Sequence, residues 1–321
     1  MRRRMGLALV LLLVGCSDDA MVGNPDSSAP DGAVPDGAVP DGGVGDAAAP
    51  DASRDSGGGP LQMMEVGIGP FTTPPGVERT ECASFDLGNE NPGMLREIRT
   101  RLTPGSHHMI VYRLDEAPNP TPAPCGAFQH GMSDALFIAE KQEAELRYPD
   151  GSGLPLRPHQ TIGIELHYIN YFSNEPVDIS GAVEFFVDES PEAQDLEEVR
   201  FLFTGSLSLE LLPRQVTTER FYQPMAPGIR MFAITSHTHA LGTLSTIERA
   251  NGLNDPIEEI HRSTDWAEPP LDVFDPLLVF EPNQGLILTC QYTNTTDRTV
   301  RFGTNFDDEM CFLWVHYLDP E

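Results

Sequence analysis

Residues 231–239, MFAITSHTH, decide how the last third of the chain folds. The apolar and partly β-forming start of this stretch favours a strand. Side chains alternate across a strand, so His237 and His239 are expected on one face with their imidazoles side by side. Two such imidazoles can hold one metal ion, although a polar strand face that carries two histidines by chance explains this short motif equally well.

The rest of the folded part predicts an all-β protein. From Leu61 onward, short apolar or alternating runs recur between Pro and Gly turn signals. Many short strands without alternating helices favour antiparallel sandwiches. We therefore expect two tandem, jelly-roll-like β-sandwich domains at residues 61–190 and 191–321, divided in the polar segment around Pro191. Residues 133–146 are the exception, because they predict a short helix.

Length and charge limit the possible classes of protein. The 321 residues are enough for two domains of ordinary size, and the formal net charge is −29. Because the acidic excess is spread widely, the surface repels phosphate backbones, and nucleic acid is excluded as an expected partner.

The start of the chain predicts export. The basic residues 2–4 precede an apolar run at residues 6–14, which is too short to span a bilayer as a permanent helix. The run ends in LVGC at residues 13–16, which resembles a bacterial lipobox. This resemblance implies that residues 1–15 are removed, that Cys16 is lipidated, and, since Ser17 follows it, that the protein is anchored in the outer membrane. A plain secretory signal with a chance cysteine is the alternative.

A tether follows the lipidation site. Residues 17–60 consist mostly of Pro, Asp, Gly, Ala and Ser, and the sequence PDGAV repeats at residues 30–39. This composition cannot form a core, so the segment is predicted to be disordered and extended. We therefore expect contact with the membrane through the N-terminal lipid only.

The cysteines predict disulfides. Without Cys16, four of the five cysteines remain, and an exported chain can oxidise them in three possible pairings. We favour Cys82–Cys125 and Cys290–Cys311, because each pair lies within one half of the chain. Free buried thiols are the alternative.

Further candidate metal ligands occur in both halves. His107 and His108 follow Gly105, and adjacent residues of a regular strand point to opposite faces. For both to bind one metal, the chain must bend there or the two rings must use different nitrogens. His167, in an alternating strand, is a third candidate imidazole, and Met310 offers a soft thioether that suits Cu(I). Separate surface histidines and a core methionine explain the same residues. Three other histidines match no motif and are expected to be exposed: His130, His159 and His261.

Together these segments resemble the copper type II, ascorbate-dependent monooxygenases, the family of peptidylglycine α-hydroxylating monooxygenase and dopamine β-monooxygenase. The matching segments occur in the family's order and span about Cys82 to Tyr317. They are His107-His108-Met109, Leu166-His167-Tyr168, His237-Thr238-His239 with Gly242 after it, and Glu309-Met310-Cys311.

The resemblance implies two coppers per chain, one in each sandwich, facing a solvent-filled cleft. The electron-storing copper would be held by His107, His108 and His167. The dioxygen-binding, catalytic copper would be held by His237, His239 and Met310. The implied reaction inserts one oxygen atom of O2 into a C–H bond, with ascorbate or a similar reductant as electron donor. The resemblance also supports the favoured disulfides.

Strand parity selects the neighbours of the second copper. Thr235 shares a face with His237, and Phe312 and Trp314 share a face with Met310. In the peptidylglycine enzyme, the positions that match Thr235, Phe312 and Trp314 carry arginine, asparagine and tyrosine, which hold the substrate carboxylate. Because all three differ here, we expect a small apolar or aromatic substrate instead of a peptidylglycine. Core packing of these residues is the alternative.

Two other functions compete with this expectation. The ligands could persist in a lipoprotein that binds or sequesters copper without oxygenase turnover. The histidines could also lie in a structural or adhesive sandwich that binds no metal. An electron-transfer cupredoxin is disfavoured, because its site needs a free cysteine thiolate and the nearby cysteines are expected to be paired.

Overall fold

The structure is a computed structural model that describes residues 59–131 and 134–320. The predicted signal segment, Cys16 and residues 17–58 of the predicted tether lie outside this part of the chain. The described residues are almost entirely β, and a five-residue 3₁₀ helix at Pro191–Asp195 is the helical element with defined bounds. No helix among the described residues is long and apolar enough to cross a membrane.

The first sandwich packs two sheets against each other. One contains, in spatial order, β1 (Gln62–Thr73), β10 (Val177–Asp188), β3 (Gly93–Leu102) and β8 (Ser152–Leu156), with β7 (Glu143–Arg147) also paired to β3. The other contains β5 (Ala123–Pro124), β2 (Glu78–Asp86), β9 (Thr161–Ile169), β4 (Ser106–Leu114) and β6 (Ala135–Ala139). Buried side chains from both sheets, among them Ile98, Met109, Leu166 and Val183, form one core.

The second sandwich has the same construction. One sheet contains β11 (Glu197–Gly205), β20 (Phe312–Leu318), β14 (Arg230–His237) and β17 (Asp272–Val279). The other contains β13 (Val216–Pro224), β18 (Gly285–Thr293), β15 (Gly242–Ala250) and β16 (Pro256–Ser263), and β12 (Glu210–Leu211) pairs with β19 (Val300–Arg301). Ile234, Ile247, Leu288 and Val315 lie in its core.

A short parallel ladder between β8 and β11 joins one sheet of each sandwich into a single nine-stranded sheet. The predicted all-β class with antiparallel sandwiches is confirmed. The described residues cluster as one compact unit. The predicted domain boundary near Pro191 stays a prediction.

The predicted helix at residues 133–146 is wrong. The structure places β6 and β7 in this segment. All five residues of β6, ALFIA, are buried, and β6 pairs with β4, so this run has no polar face for a helix to expose. β7 pairs with β3. Burial of β6 on both faces therefore overrides the helix propensity of its Ala and Leu residues.

The two favoured disulfides, Cys82–Cys125 and Cys290–Cys311, are both present. Each closes within one half of the chain, as predicted. Cys311 directly follows Met310 and so ties this candidate ligand to β18.

A bulge brings adjacent histidines to one side of the first sandwich. His108 pairs with His167 across β4 and β9, and the register shifts between Ser106 and His108, so His107 is an inserted residue. Gly105 has a φ of +97°, which favours glycine, and a Cβ there would lie 2.9 Å from Ile179 Cδ1. The chain therefore bends at the position where the sequence made a bend one of two solutions.

The two sandwiches meet through the outer faces of two sheets. On β4, Met109 and Val111 lie in the first core, whereas Ile110 lies on the opposite face. On β20, Val315 lies in the second core, whereas Trp314 packs in the same cluster as Ile110. The outward positions of both strands are thus buried against each other, and the candidate histidines lie at this interface.

Gly105→Ala should destabilise the protein more than Gly151→Ala. Both positions have positive φ, at +97° and +79°, but only a Cβ at Gly105 would have neighbours within 4 Å. The backbone strain alone costs about 1–2 kcal/mol in either variant. The additional loss at Gly105 comes from displacing Ile179 in the core. Urea unfolding of both variants measures the difference, and equal losses would show that the bulge does not depend on this glycine.

Candidate metal centre

Three histidines of the first sandwich converge. We call His107, His108 and His167 the first set. Each offers a nitrogen that lies within 4.8 Å of the nitrogens of the others. The ring centroids are 5.0 Å apart for His107–His108, 5.3 Å for His107–His167 and 5.0 Å for His108–His167. All three side chains are buried, so this is an interior cluster and not three separate surface histidines.

The ring nitrogens of the first set are arranged for a ligand. His107 Nε2 and His108 Nδ1 are buried without a hydrogen-bond partner. The two adjacent rings therefore leave different nitrogens unpaired, and both structural solutions named from the sequence, a bend and different nitrogens, occur together. Buried unpaired polar atoms are costly, so a bound metal ion would satisfy what the protein leaves unsatisfied.

Glu78 orients the third ring of the first set. Its carboxylate contacts His167 Nε2 at 2.9 Å and accepts hydrogen bonds from Tyr171 Oη at 2.9 Å and from the backbone N–H of Phe306 at 2.8 Å. These contacts, with that to His167 the strongest, lower the pKa of Glu78 to about 2. An ionised carboxylate thus engages Nε2 of His167, which leaves Nδ1 as the nitrogen available to a metal.

His237, His239 and Met310 form the second set. His237 ends β14, and His239 lies in the turn that follows, with ring centroids 5.0 Å apart. Gly242 closes this turn by donating its N–H to His239 O at 2.9 Å. A Cβ at Gly242 would lie 2.2 Å from Thr238 Oγ1, so the turn between the histidines and β15 needs glycine. Met310 and His237 line the same small cavity.

Glu309 fastens the Met310 segment to the histidine turn. Its two carboxylate oxygens accept the backbone N–H groups of His239, at 3.0 Å, and Leu241, at 2.6 Å. Burial raises the pKa of Glu309 to about 7, although these N–H groups oppose the shift. These hydrogen bonds give the glutamate that precedes Met310 a structural role.

Two further hydrogen bonds fix the second set. His239 Nδ1 contacts Asp308 O at 3.0 Å, which leaves the buried Nε2 without a partner. Tyr292 Oη donates to the backbone oxygen of Met310 at 2.5 Å. Both residues are therefore held by groups outside the donor set, as is usual for metal ligands.

Glu140 is a site residue that the sequence analysis missed. Its Oε1 lies in ion-pair contact with His237 Nδ1, and its Oε2 is buried without a hydrogen-bond partner. Burial raises the pKa of this carboxyl, and the contact with His237 opposes the shift. A signal was available: Ala139 pairs with Met109, so predicting a strand at residues 135–139 would have placed Glu140 beside His108.

The two sets are neighbours. The centroid of His107 is 5.7 Å from that of His239 and 6.1 Å from that of His237, and His108 and His237 are 6.0 Å apart. The five histidines are at most 8% exposed. The predicted separation of the two sites by solvent is therefore wrong for these five rings, because the outer faces of the two sandwiches are packed together here.

An aromatic cover made of Tyr171, Trp266 and Phe306 lies over the first set. Trp266 and Phe306 have ring centroids 5.9 Å and 6.1 Å from that of His107 and 5.8 Å from each other. Tyr171 packs on Phe306 at 5.6 Å. Two of these residues come from loops of the second sandwich and one from the first, so the cover also spans the interface.

Of the three predicted pocket residues, Trp314 lines a cavity, whereas Thr235 and Phe312 do not. The cavity offers only about 10 Å³ to the centre of a water-sized molecule. Its walls are His108, Ile110, Phe128, Ile138, Glu140, Phe203, His237, Met310 and Trp314. Phe312 lies behind this wall and stacks on Phe203 at 4.8 Å. Thr235 is buried beside Trp314 in the β14–β20 ladder but does not line the cavity.

The expectation of surface exposure is wrong for His261. This residue is 3% exposed, and its Nε2 contacts Ser236 Oγ at 2.7 Å while its Nδ1 contacts Asp272 Oδ2 at 2.7 Å. Its charged neighbours in the sequence concealed an inward-facing position of β16. The side chain of His159 is exposed, and that of His130 is 19% exposed.

The donor set indicates a class of metal. Imidazole nitrogens and a thioether are borderline or soft ligands, which suit copper, whereas Ca²⁺ and Mg²⁺ prefer cages of oxygen. The thioether of Met310 favours Cu(I) in particular. In this structure His107, His108 and His239 each keep a buried ring nitrogen without a hydrogen-bond partner. These residues therefore fit such an ion.

The fold and the site together define a β-sandwich protein with a buried centre of imidazole and thioether donors. Residues 215–321 match the family model described as copper type II ascorbate-dependent monooxygenase, C-terminal domain. This segment contains His237, His239 and Met310, and the resemblance inferred from the motifs is confirmed for it. No curated protein gives a significant match to the chain.

Two solved structures show a low similarity to this chain. The STIV MCP has a TM-score of 0.36 at 9% identity and covers 80% of this chain and 96% of its own. The major capsid protein P2 from bacteriophage PM2 has a TM-score of 0.35 at 10% identity, with coverage of 81% and 98%. TM-scores this low do not establish that these proteins share the fold of the present chain.

His239 should make the metal-free protein less stable at pH 5 than at pH 7. Burial lowers the pKa of His239 to about 3, from an ordinary value of 6.5. Between these values the unfolded chain binds a proton that the folded chain does not, so stability falls as the pH falls below 6.5. One ring contributes up to about 1.4 kcal/mol per pH unit.

Urea unfolding of EDTA-treated protein at pH 5, 6 and 7 tests this expectation. Glu309, whose pKa is raised, contributes a slope of opposite sign, so the difference between variant and parent is the informative quantity. His239→Asn should make the free energy of unfolding fall less steeply toward pH 5. The decrease in slope should correspond to about one proton fewer taken up on unfolding. Gln215→Asn, an exposed substitution without a titrating group, is the control. Equal slopes for all three proteins would contradict a buried neutral ring at His239.

Proposed function

We propose that this protein is a copper-dependent monooxygenase that hydroxylates a C–H bond of a small apolar or aromatic molecule, using O2 and an ascorbate-type reductant. The observation that carries the proposal is the convergence of His107, His108 and His167 beside His237 and His239, with buried ring nitrogens left unpaired. The family match of residues 215–321 supports the same activity.

In this proposal each donor set has a separate role. The first set holds one copper and the second set, with the soft sulfur of Met310, holds the other. Copper bound at these positions would supply one-electron transfer and the activation of dioxygen. The rest of the site is protein chemistry: Glu78 and Glu140 orient rings, and Glu309 holds the Met310 segment in register with the histidine turn.

The cavity supports an apolar substrate. Ile110, Phe128, Phe203 and Trp314 give it mostly apolar walls, and the carboxylate of Glu140 is the acidic group among its lining residues. The same walls exclude bulk water, which strengthens electrostatic interactions inside the site. Because the cavity holds about one water-sized molecule, a larger substrate enters only when side chains such as Phe128 and Phe203 move.

Product analysis tests the proposed activity directly. Purified protein loaded with copper is incubated with O2, ascorbate and a library of aromatic and aliphatic compounds, and products are detected by mass spectrometry. We expect a product heavier by one oxygen atom, labelled from ¹⁸O2, together with two coppers per chain. Copper bound without any product across the library would overturn the oxygenase proposal.

Met310→Ala should abolish turnover. Loss of the thioether removes a direct ligand, so the rate should fall by more than the roughly 10- to 100-fold that loss of a residue behind a ligand costs. Met225→Ala is the matched control, because Met225 is also a buried methionine of the second sandwich, 6% exposed against 2% for Met310. Product formation and copper content are measured for both. If Met310→Ala retained parental turnover, Met310 would not be a ligand of the catalytic copper.

We also propose that the protein is anchored to the outer membrane through Cys16. The lipobox-like LVGC at residues 13–16 supports this proposal. Cys16→Ser should move the protein from the membrane fraction to the soluble fraction of the cell envelope, because a lipid anchor supplies the membrane affinity. Fractionation of cells expressing either form measures this, with the Ser17→Ala variant as the control that keeps the lipidated cysteine. An unchanged membrane fraction in Cys16→Ser would exclude the lipid as the anchor.

Copper sequestration is a second candidate function. The burial of all five histidines, at most 8% exposed, favours it, because the structure holds the donors away from solvent. A sequestering protein would retain copper against a competing chelator and would give no product in the assay above.

A further inference from the structure

We infer that Phe128 is the gate of the apolar cavity and that Glu165 is the positioning residue that holds this gate closed. An apolar molecule with a single ring enters by taking the place of the Phe128 side chain. This inference rests on the proposed function, because it takes the cavity as the place where substrate binds, and it adds the size of that substrate and its way in.

Phe128 is the least supported part of the cavity wall. Six of the nine wall residues belong to strands, and Phe128, Glu140 and Met310 do not. Met310 is 2% exposed, and the side chain of Glu140 is 6% exposed and pairs with His237. Phe128 is half-buried, with its ring centroid 5.4 Å from that of Phe203, another wall residue. Its ring thus separates the cavity from solvent without the support of a strand.

A short strap, residues 125–131, carries Phe128 to the cavity. At the start of the strap, Cys125 is bonded to Cys82 of β2 and donates its N–H to Thr80 O at 3.1 Å. Phe128 has a φ of +55°, in the left-handed region where a bulky residue is an outlier. A residue keeps such a conformation only when its surroundings fix it, so the backbone of Phe128 must be held by neighbouring groups.

Glu165 is the neighbour that holds it. One carboxyl oxygen accepts the N–H of Phe128 at 2.8 Å, and the other accepts the N–H of Gln129 at 3.0 Å and the hydroxyl of Tyr112 at 3.0 Å. Glu165 is 0% exposed and pairs with Cys82 across β9 and β2, so both anchors of the strap leave neighbouring positions of one sheet. Because a buried carboxyl without its donors is costly, the carboxyl and the closed strap stabilise each other.

The cavity must open before it can hold a substrate. It offers about 10 Å³, whereas an engineered apolar cavity that binds benzene has about 150 Å³. Phe203 pairs with Trp314 between β11 and β20, and Ile138 pairs with Ile110 between β6 and β4. These ladders fix the other apolar walls. Phe128 is therefore the wall that can move out, at the cost of its contacts with the buried carboxyl.

The space that Phe128 vacates defines the size of the substrate. It equals one phenyl ring and adjoins a cavity that His237 and Met310 also line. A single-ring apolar molecule in this space would place a C–H bond beside the second set. A molecule with two fused rings would require the strand residues of the wall to move as well.

Ligand binding to the full chain without added copper tests the gate independently of turnover. Fluorobenzene is titrated into the parent, Phe128→Ala and Phe201→Ala, and the Kd is measured by ¹⁹F NMR. Phe201 is the matched control, because it is also half-buried and packs on the same cluster but does not line the cavity. Phe128→Ala should bind at least about tenfold tighter than the parent, since the parent must first open. No gain in Phe128→Ala, or an equal gain in Phe201→Ala, would overturn the inference.

Variants of the carboxyl test the positioning role. Glu165→Gln replaces an acceptor oxygen by an amide group that cannot accept, so the closed strap loses a hydrogen bond and fluorobenzene should bind more tightly than to the parent. Tyr112→Phe is the control, because it removes a donor to Glu165 but leaves both contacts with the strap. Phe128→Ala combined with Glu165→Gln should bind like Phe128→Ala alone, since no gate is left to hold. An additive gain, or an equal gain in Tyr112→Phe, would overturn the positioning role.

Amide hydrogen exchange of the parent decides the question even if a variant does not fold. Buffer saturated with fluorobenzene should speed the exchange of the Phe128 and Gln129 N–H groups, because the open strap withdraws them from Glu165. The N–H of Leu288, in the second core, is the internal reference. Unchanged exchange at Phe128 and Gln129 would overturn the inference. Gated binding without hydroxylated product would remove only the proposed function, whereas product formation with an ungated cavity would remove only the gate.

Discussion

The packing of Trp314 against Ile110 joins two sheet faces that each turn away from their own core, and the rest of the structure depends on this contact. A sheet buried on one face only leaves its other face to solvent or to a partner. Here the outer face of β4 and β9 meets the outer face of β14 and β20. The histidines lie on these faces, so their burial, their contacts with glutamates and their mutual proximity all follow from one interface.

Much of the site could be predicted because its residues follow local rules. Alternation along a strand places His237 on the face opposite Ile234, which lies in the second core. The same alternation implies either a bend at His107 or different ring nitrogens, and Gly105 indicated the bend. The disulfides were predictable because only a few pairings exist, and each favoured pair lies within one half of the chain.

The parts that could not be predicted depend on contacts between distant segments. Glu78 and Phe306 are 228 residues apart. No local sequence pattern indicates that a carboxylate of β2 contacts a loop of the other sandwich. Glu140 was missed because the sequence predicts a helix where the fully buried strand β6 forms. Periodicity does not distinguish a buried strand from a buried helix in a short apolar run. The expected cleft failed for the same reason, since how tightly two domains pack is decided by side chains of both.

The position of Met310 has a consequence for the lifetime of such a centre. If the proposed copper binds here and activates dioxygen, the thioether meets oxidants made at the site itself, although the residue is only 2% accessible from outside. Oxidation to the sulfoxide replaces a soft sulfur donor by a hard oxygen and makes the side chain polar in an apolar wall. Burial also keeps repair enzymes away from this sulfur, so the damage persists while the protein stays folded. Under the proposed function, the number of catalytic cycles that one molecule completes would then depend on how rarely the oxidant is released without substrate in place.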